Sequence, residues 1–361
     1  MIQKLSRYQG CLLGLAVGDA MGSPIDKKCW EEICQDYGPN GLLGYDLVNG
    51  CAEITSYTQL AAYTSNGLLL GMSRYQPENY GKFIYAALKE WAKCQQTRIL
   101  PEKTLCWVSR IVPMRRRLCM DTRMLDTLTR DTVGTLERPI NASYLPSALT
   151  CSAVIGLFFN AGRMEPRQVG ALGAETMALT SGDPETILSG AVLAYSIAGI
   201  VQDGELPLKT QFAHAVEAVR AQFGDRYPQV EKIASLVEKA ITLTTDAELT
   251  PLVAMTILEC TTAAGCLAGA MYAAMVHTEN FDEGMITAVN HSGRSGAVGA
   301  IVGAILGAKL GVEALPDFYL ESLDAVDVLK ELATDMTQGK QITRIFDDSW
   351  DQKYVQGKPV G

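Results

Sequence analysis

The sequence predicts an all-α protein folded as one compact domain, and three observations predict it. Apolar residues recur at helical rather than alternating spacing, in stretches rich in Ala, Leu, Met and Gly. Glycine repeats every fourth residue at Gly10, Gly14, Gly18 and Gly22, and again at Gly299, Gly303, Gly307 and Gly311. Prolines stand where helical stretches end, and no low-complexity linker or composition break divides the chain.

Four-residue spacing places each glycine set on one stripe of a helix, where missing side chains let a second helix approach closely. Each interior glycine costs up to about 1 kcal/mol relative to alanine, so close packing or a functional backbone approach must offset it. Between the stripes, helices are expected over 59–74, 80–95, 105–117, 147–161, 165–180, 185–203, 209–223, 229–244, 281–289 and 325–335. Pro77, Pro139, Pro166 and Pro184 punctuate them. Asp183-Pro184-Glu185 reads as an N-cap followed by a proline in the first turn. The domain is expected over 1–345, with 346–361 as a C-terminal tail.

Composition excludes several classes of function. The 361 residues are ample for a continuous core, and 48% hydrophobic with 20% charged residues describes a soluble globular chain. Thirty-one basic against 40 acidic residues give a net charge of −9, which opposes nonspecific attraction to nucleic acid or anionic lipid. No nucleic-acid or membrane partner is expected. The basic run Arg115-Arg116-Arg117, with Arg110 and Arg123 nearby, reads as a solvated helix face, a phosphate grip being the sharper alternative.

The ten cysteines are scattered without a C-x-x-C pair, so reduced thiols and a cytoplasmic location are expected. The apolar run from Cys11 to Val17 is short for a signal core and is broken at Asp19. Two longer apolar stretches, 252–276 and 296–310, read as buried helices; the first contains Glu259 and several threonines, the second is short and contains Lys309.

Four segments separate themselves from this helical background. Gly18-Asp19-Ala20-Met21-Gly22-Ser23-Pro24-Ile25-Asp26 ends a helix in a Gly/Pro turn carrying two carboxylates, and a capped turn is its plain reading. Glu53-Ile54-Thr55-Ser56-Tyr57-Thr58-Gln59 precedes a strong helix, so Thr55 or Ser56 reads as an N-cap. Asn141-Ala142-Ser143-Tyr144-Leu145-Pro146 is a polar loop opening another helix. Asn290-His291-Ser292-Gly293-Arg294-Ser295-Gly296 also stands before a helix, where backbone amides attract anions.

The fourth segment lacks the Gly-Lys-Ser/Thr ending of a phosphate loop and follows no strand. His214, His277 and His291 are the only histidines, and no Ser or Cys stands in a nucleophile elbow. Metal-ligand spacing built from His and Cys is absent.

Taken together and in this order, the segments resemble the ADP-ribosylglycohydrolases, among them the hydrolase that reactivates dinitrogen reductase. The resemblance covers about Gly10 to Leu315. It starts with GCLLGLAVGDAMGSPID, runs through YGPNGLLGYD, EITSYTQLAAYTSNGLL and PINAS, and closes with FDEGMITAVNHSGRSGAVGAIVGAILGAKLG. It implies a compact all-α fold and an activity that removes ADP-ribose from modified side chains, or cleaves related compounds, with two Mg²⁺ or Mn²⁺ ions. Such hard ions want oxygen ligands, mostly carboxylates, with open positions for water and ribose hydroxyls.

The family supplies those ligands from a Thr-Asp-Asp motif before one helix and an Asp-x-Asp-Thr motif before another. Here the first reads Thr55-Ser56-Tyr57 and the second Arg294-Ser295-Gly296-Ala297, so only Thr55 remains. Asp26 stands where the family has Glu. Tyr144-Leu145-Pro146-Ser147 replaces its glycine-rich substrate loop, and Thr180-Ser181-Gly182 its Thr-His-Gly. Even single outer-shell changes at metal sites cost about 10–100-fold in affinity or activity, so no metal ligand or cofactor is expected and the Mg/Mn pair is expected to be absent. Arg294 is expected to replace part of the lost cationic charge by pairing with Asp19 or Asp26.

Three readings follow. The first is a pseudoenzyme that binds an ADP-ribose-like small molecule, an ADP-ribosylated protein or another partner in a cleft of Thr55, Ser56, Tyr57, Asn141, Ser143, His291, Ser292, Gly293, Arg294, Ser295 and Gly296. The second is an active hydrolase with a metal-independent or rebuilt site, Asp19 or Asp26 serving as acid–base and Tyr57 orienting water. The third is a structural or oligomeric role with the cleft packed shut by Tyr57, Tyr144 and Leu145. Asp46, Glu53 and Glu259 are recruits for a rebuilt site, with plainer readings as a surface loop, a turn and a buried or capping carboxylate.

Overall fold

The two glycine stripes lie on helices that run antiparallel against each other at the centre of the protein. The computed structural model describes residues 2–97, 99, 102–118, 121–159, 164–340 and 348–359. In chain order the helices are α1 (Lys4–Gly22), α2 (Trp30–Tyr37), α3 (Ser56–Ser73), α4 (Tyr80–Gln96), α5 (Thr122–Thr129), α6 (Leu149–Phe158), α7 (Pro166–Ala178), α8 (Pro184–Gln202) and α9 (Leu208–Phe223). They continue with α10 (Gln229–Leu243), α11 (Pro251–Ile257), α12 (Ala263–Val276), α13 (Phe281–Val289), α14 (Ser295–Leu310), α15 (Asp317–Ser322), α16 (Val326–Gln338) and α17 (Ser349–Tyr354). No strand is present among the described residues, only the isolated bridges Val48–Cys51 and Ala52–Leu323.

Gly10 faces Gly307, Gly14 faces Gly303, Gly18 faces Gly299 and Gly22 faces Ser295, so α1 and α14 meet backbone to backbone. A Cβ on any of these glycines would fall on the partner's backbone, which is the packing that offsets their low helix propensity. Gly311 then ends α14 with φ of +82°, a conformation that L side chains rarely adopt. Around this pair pack α3, α6, α8, α12, α13 and α16. Trp91, Trp107, Tyr8, Tyr63, Phe158 and Phe212 are among the largest fully buried side chains.

The all-α expectation holds, and 281–289 is helical over the expected span. The helix expected over 105–117 is not formed: the chain makes two 3-10 turns, Trp107–Arg110 and Pro113–Arg115. Pro113 lacks an N–H and its ring blocks the preceding turn from continuing. The arginine run is therefore not a solvated helix face. Arg116 pairs with Asp324 at 2.6 Å and Glu53 at 3.2 Å, and Arg117 Nε donates to the Gln95 carbonyl at 2.7 Å.

The stretch 252–276 divides into α11 and α12 at Glu259, whose φ of +51° breaks the helix; Glu259 is exposed rather than buried. Among the described residues, α8 is the helix long and apolar enough to cross a membrane, and 72% of that window is buried between other helices. The expected end of the 147–161 helix and the boundary between 345 and 346 lie outside the described residues. Within 346–361, read as a tail, α17 buries Trp350 and Tyr354, and both Lys353 and the Tyr354 hydroxyl bond Asp335 of α16. The nine described cysteines are free thiols, and Cys119 lies outside the described residues.

Candidate functional site

Close contact between the glycine stripes brings the end of α1 to the start of α14, and a cleft forms there. After α1 the chain makes a 3-10 turn, Ser23–Ile25, and reaches Asp26. Lys27 follows with φ of +72° and donates its N–H to the Gly293 carbonyl at 2.8 Å. On the other side, Arg294 N–H donates to the Cys260 carbonyl at 2.8 Å. Asp26 is thereby held at the positive end of α14: Gly296 N–H donates to Oδ1 at 3.2 Å, and Arg294 Nη1 stands 3.8 Å from Oδ2. Both side chains are largely buried, 22% exposed for Arg294 and 17% for Asp26. Burial pushes the Asp26 carboxyl up, while the Gly296 amide, Arg294 and Lys27 pull it back.

Asp19 has a different task. It is fully buried and accepts from Thr55 Oγ1 at 2.5 Å, Thr55 N at 2.8 Å, Thr58 Oγ1 at 2.6 Å and Thr58 N at 3.0 Å. Burial pushes it up to about 6 against those four donors. Both oxygens are committed to the start of α3, and Asp19 lines neither lobe of the cleft. It braces the start of α3 and stands away from the cleft, where the acid–base candidate of the second reading would have to act.

Thr55 caps α3, its Oγ1 accepting from Tyr57 N–H at 3.4 Å. The Tyr57 carbonyl accepts the Thr150 hydroxyl at 2.8 Å, tying α3 to α6. The Tyr57 ring lies over Gly296, close enough that a Cβ there would be 3.2 Å from Cε2. Burial and the neighbouring Asp26 raise the Tyr57 phenol well above its ordinary value, so it stays protonated.

The cleft has two lobes. One, of about 420 Å³, is lined by Asp26, Thr55, Ser56, Tyr57, Asp121 and Arg123 among others. The other, of about 330 Å³, reaches Ser292, Gly293 and Tyr144. Lys27, Leu145 and Arg294 line both. The cleft is open, which goes against the third reading, in which Tyr57, Tyr144 and Leu145 pack it shut. The Tyr144 carbonyl is fixed by Ala263 N–H at 2.9 Å, and its side chain is 52% exposed. In the first lobe Asp26 and Asp121 face the cations Lys27, Arg123 and Arg294, leaving that lobe positive by one charge.

The structure thus divides the candidate residues. Asp26, Thr55, Ser56, Tyr57, Ser292, Gly293 and Arg294 line the cleft, and Gly296 closes its wall beneath Tyr57. Ser292 Oγ also accepts Trp30 N–H at 2.8 Å and so starts α2. Asn141, Ser143, His291 and Ser295 line neither lobe. Asn141 Nδ2 donates to Thr180 O and Thr127 Oγ1 at 2.9 and 3.0 Å, and its Oδ1 accepts Ser143 N–H, a turn that shapes the loop. His291 is 1% exposed, and desolvation lowers it to about 4, so it is neutral. Ser295 is fully buried in the first turn of α14.

Asp121, Arg123 and Ser147 contribute one wall, and of these Asp121 escapes the sequence reading. Asp121 caps α5 through Met124 N–H at 3.0 Å and also accepts the Ser147 hydroxyl. Its one sequence signal is an Asp at a helix start. Gln59 holds the approach to this wall: Nε2 donates to Pro113 O at 2.8 Å and Arg116 O at 2.9 Å, and Oε1 accepts from Trp91 Nε1 at 2.9 Å. Among the recruits named for a rebuilt site, Asp46 bonds the Tyr37 hydroxyl and Glu53 pairs with Arg116.

Oxygen donors at the cleft do not fit a pair of hard dications. Among the described residues no group of three or more His, Cys, Asp or Glu side chains is placed to hold a metal ion. Both Asp19 oxygens already accept hydrogen bonds from Thr55 and Thr58, and Asp26 faces a guanidinium.

A search of curated proteins finds no match to the chain. Among solved structures, an "ADP-ribosylglycohydrolase-related protein complex" is similar in fold, with a TM-score of 0.57 and 21% identity, covering 92% of this chain and 97% of that one. The family model for ADP-ribosylglycohydrolases matches residues 2–345. With that match spanning nearly its whole length, the chain belongs to the ADP-ribosylglycohydrolase family.

Proposed function

We propose that this chain is a non-hydrolysing member of its family that binds an ADP-ribose-like ligand, free or on a modified protein, in the open cleft beside Asp26. One observation carries the reading: the guanidinium of Arg294 stands 3.8 Å from Asp26, at a helix start where the family pattern has a carboxylate. A guanidinium offers planar paired donors to a pyrophosphate, and the amides at the start of a helix add to that attraction. Lys27 and Arg123 line the same lobe. The ligand's two negative charges are then met by basic side chains rather than by metal ions, and the Mg/Mn pair has no role in holding it.

A second reading, a metal-independent hydrolase, rests on Asp26. Its carboxyl is raised by burial and lines the cleft beside Tyr57, as a proton donor to a leaving group would be.

Release of ADP-ribose from ADP-ribosyl-arginine separates the two. The binding reading expects no turnover with Mg²⁺, Mn²⁺ or EDTA. Turnover that survives EDTA and disappears in Asp26→Asn supports the second. Turnover that needs the dication contradicts both.

A further inference from the structure

The second lobe of the cleft, of about 330 Å³, differs in charge from everything around it. Lys27, Lys28 and Arg294 bring three cations to its lining, and Tyr144, Thr261 and Ser292 bring hydroxyls. Among the described residues no carboxylate lines it. The first lobe, by contrast, carries Asp26 and Asp121, and a cavity between α4 and α7 carries Glu78, Glu137 and Glu175. The whole chain has a net charge of −9. Charge of one sign gathered in a concave surface focuses its field on a ligand of the other sign. The volume lies within the range of small-molecule sites.

The carboxylates that meet these residues stand outside the lobe's lining. Asp36 accepts Lys28 Nζ at 2.7 Å, Glu32 accepts Cys29 N–H at 2.8 Å, and Asp26 lies 3.8 Å from Arg294 Nη1. Each cation keeps donors beyond its partner, since an ammonium has three N–H groups and a guanidinium five. Ser292 Oγ accepts Trp30 N–H at 2.8 Å, which leaves the hydroxyl proton to donate. Lys27 lines both lobes, and its φ of +72° is a conformation that suits glycine better than lysine. The chain thus holds an ammonium between the lobes at a strained position.

We infer that the second lobe is a phosphomonoester subsite. A terminal phosphate brings three acceptor oxygens and close to two negative charges. Lys27, Lys28 and Arg294 answer the charge, and the Ser292 hydroxyl adds a neutral donor. A carboxylate, with one charge and two oxygens, uses less of this donor set. The subsite goes beyond the pyrophosphate reading of the cleft and stands without it, because Lys28, Thr261 and Ser292 line the second lobe alone.

The probe is ribose 5-phosphate, titrated into the full-length protein and followed through backbone amide shifts by NMR. The expected result is saturable shifts at Thr261, Ser292 and Gly293 and none at Thr122 or Arg123 in the first lobe. Lys28→Gln is expected to weaken binding about tenfold, the loss of one charge-assisted hydrogen bond, whereas Arg123→Gln leaves it unchanged. Lys27→Gly weakens it too, without lowering the melting temperature, since glycine relieves the positive φ. Ribonate, with a carboxylate in place of the phosphate, is expected to bind at least about tenfold more weakly, the loss of one charged contact. Three results overturn the inference. They are no saturable shift up to about 10 mM, a concentration that detects fragment-sized ligands, equal binding of ribonate, and unchanged affinity in Lys28→Gln.

Discussion

Tyr57 and Gly296 share one volume at the cleft: the tyrosine ring covers the start of α14, where a Cβ on residue 296 would stand 3.2 Å from Cε2. Both positions carry aspartate in the family pattern. Here a large ring at one and no side chain at the other form a complementary pair, so restoring a carboxylate at 296 requires the ring to leave. Gly296→Asp is expected to destabilise the protein by roughly 1–3 kcal/mol through overpacking beside Asp26. In a Tyr57→Ala background the same change is expected to cost at least about 1 kcal/mol less. Urea unfolding of the four-member cycle measures the coupling, and additive effects contradict the packing.

Asp19 is a structural acceptor in this account. Removing it in Asp19→Ala leaves four donors without their acceptor, the two of Thr58 buried and the two of Thr55 part-buried. The expected loss is about 2–4 kcal/mol, read by chemical denaturation. Asp19→Asn keeps one acceptor oxygen and is expected to lose less. Equal losses in the two variants argue against the hydrogen-bonding role.

His291 gives stability a pH signature. Its ordinary value is 6.5, and desolvation lowers it to about 4 in the folded protein. Between those values the unfolded chain binds the proton and the folded chain does not, so this residue's contribution is full above about 6.5 and is lost as pH falls toward 4. His291→Leu is therefore expected to gain stability relative to the parent over that interval, by on the order of 3 kcal/mol. Melting temperatures of both proteins across the interval test it, and a constant difference contradicts the buried neutral imidazole.

The helix pair that builds the cleft depends on missing side chains. A Cβ on Gly303 would fall on the backbone of Gly14, which cannot move aside as a flexible side chain can. Gly303→Ala is expected to destabilise by about 2 kcal/mol or more despite alanine's better helix propensity. Gly44 has nothing within contact distance of its Cβ position and serves as the control. Equal effects of alanine at 44 and 303 contradict close packing.

How much of this was legible in the sequence depended on the range of each interaction. The glycine stripes carry their meaning locally, because a four-residue repeat inside a long Ala- and Leu-rich stretch reads as one face of a helix. The Thr55 cap and the 281–289 helix are local too, and both stand in the structure. Arg294 required a partner from α1's end, and the sequence left Asp19 and Asp26 open; the structure pairs it with Asp26. Where a residue's partner lies far off in the chain, the reading failed. Asn141 and His291 look like site residues beside their motifs, yet one braces a loop and the other is sealed in the core. Asp121 and Arg123 reach the cleft only because α5 docks there, and Pro113 turned an expected helix into two 3-10 turns.

Isothermal titration of ADP-ribose into the protein, with Mg²⁺ and again with EDTA, tests the central claim most directly. The account predicts the same affinity in both buffers and a loss of about tenfold or more in Arg294→Ala, since a charged hydrogen-bonding pair is worth about 1.5–3 kcal/mol. Affinity that requires Mg²⁺ and is indifferent to Arg294 would contradict it.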